Sequence, residues 1–319
     1  MRRVILAMAA VAAVGAAGLG TTGHPTAARD PPPARAAAAR FAVGVMELTF
    51  AEPGRTVTYP GQAPQPRTVT TVIRYPAALP SGRTDVRRAP PDRAHGPFPL
   101  IVFGHGFAVT PATYYRLLRA WAQAGYVVAA PVFPLENAHA PGGPIESDLP
   151  HQPHDMSVVI SGMLAASSDP HSLLHSMINR RAVAVSGQSD GAVTALALAY
   201  DPVYRDRRVN AAVILSGAQV LGTGSRGPPL LAAQGTADTV NAPQNTDALF
   251  AAAQRPKFLL RLIGAAHLPP YTVQQPQLTI VERVSVAFLD RYLKRDVHGI
   301  TRMERAGDRR AIAHLVAQP

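Results

Sequence analysis

The sequence predicts an α/β protein: a mostly parallel central sheet flanked by helices, with antiparallel strands at its N-terminal edge. Short, wholly apolar runs such as residues 99–103 are typical of strands that are buried on both faces of a parallel sheet. These runs alternate with helical stretches, and a strand, a helix and a strand within about thirty residues make a βαβ unit. Because the alternation continues to Lys294 without a linker, we expect one domain over residues 41–294.

Residues 1–40 are predicted to be a signal peptide and a flexible leader. Two arginines after Met1 precede a run of small apolar residues over 4–19, and polar, proline-rich sequence follows, which is the layout of a secretory signal peptide. We therefore expect export to the periplasm, the cell envelope or the medium, with no membrane span left after processing. An uncleaved anchor is the alternative, although the run is short and rich in alanine.

The remaining elements are predicted in chain order. Residues 43–50 and 67–75 have the pattern of two antiparallel edge strands, and the proline- and arginine-rich residues 76–97 are expected to form a surface loop. Strands are predicted over residues 99–103, 126–130, 181–186, 209–215, 230–234 and 258–263, and helices over 111–124, 155–166, 242–253 and 277–294, with a further helix that ends at Tyr200. The long loop 131–153 is expected to overhang the functional site, and residues 295–319 to form a charged, loosely packed tail.

The composition excludes several kinds of chemistry. The 319-residue chain contains no cysteine, which excludes disulfides, a thiolate nucleophile and cysteine-ligated zinc. The formal net charge of +11 could indicate nucleic-acid binding, but the positive charge is almost all arginine, which is scattered rather than interleaved with aromatic residues along one helix. We therefore expect no nucleic-acid partner.

A Gly-x-Ser-x-Gly turn over residues 187–191 is the motif around which the chain is organised. It joins an apolar strand to an alanine-rich helix, the context in which a sharp turn lifts a serine hydroxyl above the sheet edge. Glycine flanks the serine because a side chain there would collide with neighbouring backbone. The pattern also occurs in ordinary βα loops. The prediction that Ser189 is a nucleophile therefore depends on a base, an acid and an oxyanion hole elsewhere in the chain.

The predicted base and acid both follow Ser189 along the chain. His267 comes directly after a predicted strand, so that its loop lies at the sheet edge of the serine, whereas His298 and His314 lie in the tail. Asp238 also follows a strand end, where it could cap the next helix as well as orient a histidine. Serine, aspartate and histidine in this order, each after a successive strand, match one known order of a catalytic triad.

Two backbone N–H groups are expected to bind the oxyanion that develops on a substrate carbonyl. One belongs to Asp190, which follows the serine, and the other to Phe107, in the glycine-containing loop after the first parallel strand. His105 and Gly106 in that loop, and Asp155, are predicted to support the site from behind. His105 could be mistaken for the base, but it precedes the serine, which the triad order disfavours.

Two histidine clusters are candidate metal sites. His171 and His175 are four residues apart, but the glutamate that a zinc-protease helix carries between its histidines is missing. His151, His154 and Asp155 offer three possible ligands, yet histidine pairs of this kind are common in solvated loops. We expect neither a metal nor any other cofactor.

The residues 104–107, 187–191 and 235–238, together with His267, resemble the α/β-hydrolase superfamily. Within it, the chain is similar to compact secreted serine esterases related to dienelactone hydrolases, chlorophyllases, platelet-activating-factor acetylhydrolases and cutinase-like polyester hydrolases. The resemblance covers residues 43–294 and implies an α/β-hydrolase fold.

The resemblance also implies a role for each site residue. Ser189 is the nucleophile, His267 the base and Asp238 the orienting acid, and Phe107 and Asp190 are the oxyanion donors. The chain departs from polyester hydrolases, which usually carry methionine or histidine at the position of Asp190, glycine at the position of Ala192 and a disulfide near the C-terminus. It also lacks the cysteine nucleophile of dienelactone hydrolases proper.

Three hypotheses follow for the function. The first is a carboxylesterase that acts on a small or medium acyl ester through an acyl-enzyme, and the second is the same chemistry on a lipid or polyester. The third is a non-catalytic envelope-binding protein on a hydrolase scaffold. A complete set of triad residues disfavours the third hypothesis, because a scaffold without activity would be expected to lose at least one of them.

Overall fold

The computed structural model describes residues 41–218 and 226–319, so the predicted signal peptide and leader lie outside the described residues. The strands are β1 (Ala42–Val57), β2 (Gln65–Ala77), β3 (Val86–Arg87), β4 (Phe98–Gly104), β5 (Val127–Pro131), β6 (Ile178–Gln188), β7 (Val209–Leu215), β8 (Leu230–Gly235), β9 (Lys257–Leu262) and β10 (Ala313–Gln318). The α-helices are α1 (Tyr115–Gln123), α2 (Gln152–Ser168), α3 (Asp190–Tyr200), α4 (Pro243–Ala252), α5 (Gln277–Leu293) and α6 (Gly299–Gly307).

The strands form one ten-stranded sheet in the order β10-β9-β8-β7-β6-β4-β5-β2-β1-β3. Neighbouring strands from β5 to β9 are parallel, whereas β1 and β2 pair antiparallel with each other and β2 pairs antiparallel with β5. The predicted mixture of a parallel centre and an antiparallel N-terminal edge is therefore confirmed.

The strand register brings several loops to one edge of the sheet. Gly104, the last residue of β4, pairs with Gly187 of β6, and Gln188 pairs with Leu215 of β7. Gly235 likewise ends β8 opposite Leu262 of β9. Because parallel strands end at the same edge, the loops after β4, β6, β8 and β9 converge there, and these loops carry the predicted site residues.

A hydrophobic core lies on each face of the sheet. One core packs α1, α5 and α6 on the sheet through Trp121, Phe288 and Met303, and Trp121 Nε1 donates to Ser285 Oγ at 2.9 Å. The other packs α2 and α3 through side chains such as Ile160 and Leu196. Each large apolar side chain buried in this way contributes about 1.5–3 kcal/mol relative to exposure. Both faces of the central strands are covered, which explains their unbroken apolar sequence.

The prediction of a loose tail over residues 295–319 was wrong. These residues form α6 and β10, which pairs antiparallel with β9, and one compact unit extends from Arg40 to Pro319. Met303 and Leu315 join the core beneath the sheet. The charges that suggested a solvated tail are partly paired, since Arg302 binds Asp290 of α5 at 2.9 Å.

Two predicted loops also contain short regular elements. Residues 76–97 include the two-residue strand β3, and its neighbour Asp85 binds Arg74 and Arg119, each at 2.8–2.9 Å. The loop 131–153 ends in a 3-10 helix (Glu146–His151), and α2 then begins at Gln152, earlier than expected.

Over the two described ranges, no helix has the length and apolar character needed to cross a bilayer.

Candidate active site

Ser189 lies at the tight turn between β6 and α3. Its backbone has φ 57° and ψ −124°, a region that non-glycine residues rarely adopt and that typically costs about 1–3 kcal/mol. The turn requires close backbone packing, because a Cβ on Gly191 would lie 2.1 Å from the carbonyl oxygen of Gly104. The strained backbone aims the serine at the sheet edge where the other loops converge.

A hydrogen-bonded relay links three of the predicted residues. Ser189 Oγ is 2.9 Å from His267 Nε2, and His267 Nδ1 is 2.8 Å from Asp238 Oδ2. The histidine side chain is 16% exposed, which leaves it accessible from one side, whereas the Asp238 side chain is fully buried. The structure thus brings together the three residues that the sequence singled out from separate strand ends.

Asp238 is held in place by further donors. Its Oδ1 accepts the backbone N–H groups of Val240 and Asn241, both at 2.9 Å, and its Oδ2 also accepts Gln234 Nε2 at 2.9 Å. Burial alone would raise the pKa of Asp238, but the hydrogen bonds from His267 and Asn241 outweigh it and lower the pKa below its ordinary value. The carboxylate is therefore ionised at neutral pH and able to orient the imidazole.

The loop after β4 packs directly against the serine. A Cβ on Gly106 would lie 3.1 Å from Ser189 Cβ, so a larger residue here would require the neighbouring atoms to shift by a few tenths of an ångström. The next residue, Phe107, supplies one of the two predicted oxyanion donors, and its side chain is 42% exposed. The other predicted donor is the N–H of Asp190, one of the first-turn amides of α3 that have no acceptor within the helix.

His105 is fully buried and has both ring nitrogens occupied. Nδ1 lies 2.8 Å from the carbonyl oxygen of Gly106, and Nε2 accepts the N–H of Phe133 at 3.0 Å. Burial lowers the pKa of His105 to about 4, so that the ring is neutral at physiological pH. His105 therefore connects the loop after β4 to the loop after β5, and its geometry is that of a support rather than a base.

Gln188 and Tyr114 connect the two sides of the site. Tyr114 OH accepts the Gly106 N–H at 3.3 Å and donates to Gln188 Oε1 at 2.7 Å. Gln188 Nε2 in turn donates to the carbonyl oxygen of His267 at 3.1 Å. The residue before the serine thus joins the loop after β4 to the histidine loop. The sequence did not identify Gln188 and Tyr114 as site residues. No local pattern distinguishes Tyr114 from other aromatic residues at the start of a helix.

Asp155 lies in a buried ion cluster rather than beside the serine. Its carboxylate and that of Asp148 both bind Arg67 of β2, at distances of 2.5–2.9 Å between the closest atoms. Arg55 of β1 adds a bond to Asp155 at 2.7 Å. His154 pairs with Glu52 at 2.5 Å, and within the two described ranges no group of three or more metal-binding side chains could hold an ion.

Sequence reasoning also missed three buried polar residues behind the serine. Glu136, in the loop before α2, and Gln152, the first residue of α2, are both fully buried. Gln152 Nε2 donates to Glu136 Oε2, and Gln152 Oε1 accepts Thr194 Oγ1 of α3 at 2.8 Å. The signal available beforehand was the long loop 131–153, which was expected to approach the site, but no pattern in it marked Glu136.

This fold and arrangement of residues define a class of protein: the chain has an α/β-hydrolase fold, as its motifs predicted. Residues 77–226 match the family model named Chlorophyllase, one of the kinds of esterase that the sequence resembles. A solved structure with a similar fold is the ferulic acid esterase from Streptomyces cinnamoneus, with a TM-score of 0.63 and 21% identity over 83% of this chain and 93% of that chain. No curated protein matches the sequence. The family model and the fold together support a hydrolase of the esterase type.

Proposed function

We propose that this protein is a serine carboxylic-ester hydrolase that works through an acyl-enzyme. The observation that carries the proposal is the relay of hydrogen bonds from Ser189 Oγ to His267 and from His267 to Asp238. In such a relay the imidazole takes the hydroxyl proton, while the carboxylate holds the ring in the correct tautomer and stabilises the imidazolium that forms.

The reaction proceeds in two half-reactions. Ser189 Oγ attacks the ester carbonyl carbon as its proton passes to His267 Nε2, and the carbonyl oxygen becomes an oxyanion bound by the N–H groups of Phe107 and Asp190. His267 then protonates the leaving alkoxide, and an acyl-serine ester is left. Water attacks that ester with its proton going to His267, which returns a proton to Ser189 as the acid departs.

The proposed substrate is an ester with an apolar acyl or alcohol part. Phe107, Val240 and Val273 expose 42%, 68% and 62% of their surface. They lie on the loops that also carry the proposed oxyanion donor, the aspartate and the histidine. Together these three side chains would offer the apolar part of such a substrate a surface to contact. The similarity to a ferulic acid esterase adds aromatic acyl esters as candidates, and lipid or polyester substrates are the alternative.

A covalent probe tests the proposal. A fluorophosphonate should label the purified protein at Ser189, and Ser189→Ala should abolish both labelling and the hydrolysis of p-nitrophenyl acetate. Ser161→Ala, an exposed serine on α2, is the matched control and should behave as the wild type. A folded protein that is neither labelled nor active would favour the non-catalytic envelope-binding hypothesis.

The roles within the relay are tested by two further variants. His267→Ala should reduce kcat on the order of 10⁵-fold, nearly as much as loss of the serine, because triad members act as a unit. Asp238→Asn should cost about 10⁴-fold, since the amide favours the wrong tautomer. Near-normal activity of the histidine variant would show that another base is used.

Substrate preference requires a panel of esters. The series should contain p-nitrophenyl acetate, butyrate and laurate, methyl ferulate and an emulsified triglyceride. The proposal expects kcat/KM to be highest for the apolar soluble esters. Activity that rises only above the solubility limit of the substrate would favour a lipid or polyester substrate instead.

We also propose that the protein acts outside the cytoplasm. The proposal rests on residues 1–40, whose basic start, apolar run and polar sequel are typical of an export signal. Mass spectrometry of the protein from the native host should find a mature N-terminus beyond residue 19. An intact N-terminus on a cytoplasmic protein would contradict it.

A further inference from the structure

The carboxyl groups of Glu136 and Asp190 form a pair behind the serine turn. Glu136 is fully buried, and its side chain is in hydrogen-bonding contact with that of Asp190, the residue that follows Ser189. Glu136 Oε1 and Asp190 Oδ2 are both shielded from solvent, and neither has a donor among the residues that the structure describes. Two carboxyl groups that share a hydrogen bond need a proton between them, because two adjacent carboxylates repel.

The remaining contacts of Glu136 are those of a protonated acid held in one orientation. Its Oε2 accepts Gln152 Nε2, and its Oε1 is buried without a donor among the residues that the structure describes. Thr194 Oγ1 donates to Gln152 Oε1 at 2.8 Å, which fixes the amide with its NH₂ group towards Glu136. One oxygen of Glu136 thus has a donor, and the other is free to carry the shared proton.

The backbone of Glu136 reaches the opposite side of the site. Its carbonyl oxygen accepts the N–H of Ala108 at 3.0 Å. Ala108 follows Phe107 and has φ 55°, in the left-handed region that an alanine adopts only when other contacts hold it there. The same residue therefore contacts the segment of one proposed oxyanion donor through its carbonyl and the residue of the other through its carboxyl.

We propose that Glu136 is a positioning residue, which holds the oxyanion donors of Phe107 and Asp190 in register through a carboxyl proton that it shares with Asp190. The inference rests on the proposed function, since it takes these two N–H groups as the oxyanion hole. It extends that function, because it gives the buried Glu136 and the unusual Asp190 a task in it.

The electrostatic surroundings make this proton titratable in the alkaline range. Burial, offset only in part by the donor Gln152, and the charge of Asp190 raise the pKa of Glu136 to about 9. Asp148, from the 3-10 helix before α2, adds repulsion although Arg67 binds it. Two titratable residues that follow β4 are neutral. Burial lowers the pKa of His105, and burial raises the pKa of Tyr114, which lies near Asp190.

Loss of the proton should misplace the donors. Above about pH 9 Glu136 would be ionised and would be repelled by the charge of Asp190 at the start of α3. Because the backbone of Glu136 binds Ala108, movement of Glu136 also shifts the Phe107 segment. Misalignment of an oxyanion donor lowers kcat more than it raises KM, since the oxyanion exists only in the transition state.

The test compares the pH profiles of kcat and KM for p-nitrophenyl acetate from about pH 6 to about pH 10. Wild-type kcat should fall at least fivefold as the pH rises through about 9, with little change in KM. Glu136→Gln keeps a neutral donor towards Asp190, and should lower kcat about two- to fivefold at neutral pH but remove the alkaline fall. Glu146→Gln, an exposed glutamate ten residues along the same segment, is the control and should keep the wild-type profile.

The outcomes separate this inference from the proposed function. An alkaline fall that persists in Glu136→Gln, or its absence from the wild type, overturns the inference while hydrolysis still supports an esterase. If the protein hydrolyses nothing, infrared difference spectra between about pH 7 and about pH 10 decide the matter independently. The wild type should lose the carbonyl stretch of a protonated carboxylic acid, and Glu136→Gln should not. A wild type without that band at neutral pH also overturns the inference.

Discussion

Two groups of carboxyl side chains lie towards opposite ends of the loop between β5 and α2, and their charge is compensated in different ways. Near the end of the loop, Asp148 and Asp155 both bind Arg67, and all three side chains are at most 3% exposed. Near its beginning, Glu136 is in contact with Asp190, and among the residues that the structure describes neither forms an ion pair. A cation compensates the charge of the first group, and in the second a proton neutralises one of the two carboxyl groups.

The two groups therefore have different roles: the first anchors the loop, and the second is coupled to the site. Burial would lower the pKa of Arg67, but its hydrogen bonds to Asp155 and Asp148 raise it above the ordinary value, so Arg67 keeps its charge at every accessible pH. It fixes the loop on β2. The pair of Glu136 and Asp190 depends on a proton that can leave, and it contacts the start of α3 beside the serine. We therefore expect the first group to govern stability and the second to govern pH dependence.

Removal of the cation should have the largest effect on stability. Arg67→Met leaves two buried carboxylates without their main partner and should lower the free energy of unfolding by about 3–5 kcal/mol. Urea denaturation at neutral pH, followed by the fluorescence of Trp121, the one tryptophan of the chain, measures this loss. Trp121 is fully buried in the core beneath the sheet and so reports on global unfolding.

A triple variant checks that the loss comes from unpaired charge. Arg67→Met combined with Asp148→Asn and Asp155→Asn removes all three charges and should be more stable than Arg67→Met alone, because no buried carboxylate is left uncompensated. If the triple variant is as unstable as the single variant, the cluster acts through packing and the contrast with the proton-neutralised pair is lost.

The pair of Glu136 and Asp190 should change how the stability of the protein depends on pH. Between the ordinary pKa of 4.5 and its folded value of about 9, Glu136 holds a proton in the folded state that the unfolded chain has lost. The contribution of Glu136 to the free energy of unfolding therefore falls as pH rises, by at most about 1.4 kcal/mol per pH unit. Glu136→Gln has no such group, so its stability relative to the wild type should improve by about 2 kcal/mol from about pH 6 to about pH 8.

The measurement compares the stability of Glu136→Gln with that of the wild type. Contributions from other titratable groups, including those that add stability as pH rises, cancel in this difference. Asp238 has a lowered pKa and adds stability above it, but equally in both proteins. Glu146→Gln serves again as the control and should run parallel to the wild type at every pH. Parallel curves for Glu136→Gln would mean that Glu136 is ionised in the folded protein.

The central sheet and the relay were predictable because their signals are local. The apolar run that became β7 has the predicted bounds, Val209–Leu215, since a strand covered on both faces can tolerate little polar sequence. Ser189, Asp238 and His267 each follow such a run, and parallel strands end at a common edge. The sequence therefore indicates their convergence without any knowledge of side-chain contacts.

Other features could not be predicted from the sequence because they depend on tertiary contacts. The segment of α6 and β10 carries many charges, and only its packing on α5 and β9 shows that Met303 and Leu315 are core residues. Glu136 lies in a loop of prolines, glycines and histidines, where no periodicity marks burial. Its role depends on Asp190, more than fifty residues away in the chain, and a single sequence carries no record of that contact.

The orientation of Gln152 offers a smaller test of the proton-neutralised pair. Thr194→Val removes the hydroxyl that donates to Gln152 Oε1 at 2.8 Å and should cost about 1 kcal/mol of stability, because a buried acceptor loses its donor. Urea denaturation measures the loss. Thr194→Ser keeps the hydroxyl and should recover most of it. An equal loss in both variants would assign the effect to altered packing at this position rather than to the hydrogen bond.

The smallest effect is expected for the outer arginine of the cation-neutralised cluster. Arg55 binds Asp155 at 2.7 Å, but its side chain is 18% exposed, and Asp155 keeps its bonds to Arg67 when Arg55 is replaced. Arg55→Met should therefore cost at most about 0.5 kcal/mol, the range of a solvent-accessible ion pair. Denaturation curves of Arg55→Met and Arg67→Met under the same conditions give the ratio of the two losses. A loss as large as that of Arg67→Met would show that one buried cation does not suffice for two carboxylates, and that the cluster needs both arginines to remain neutralised.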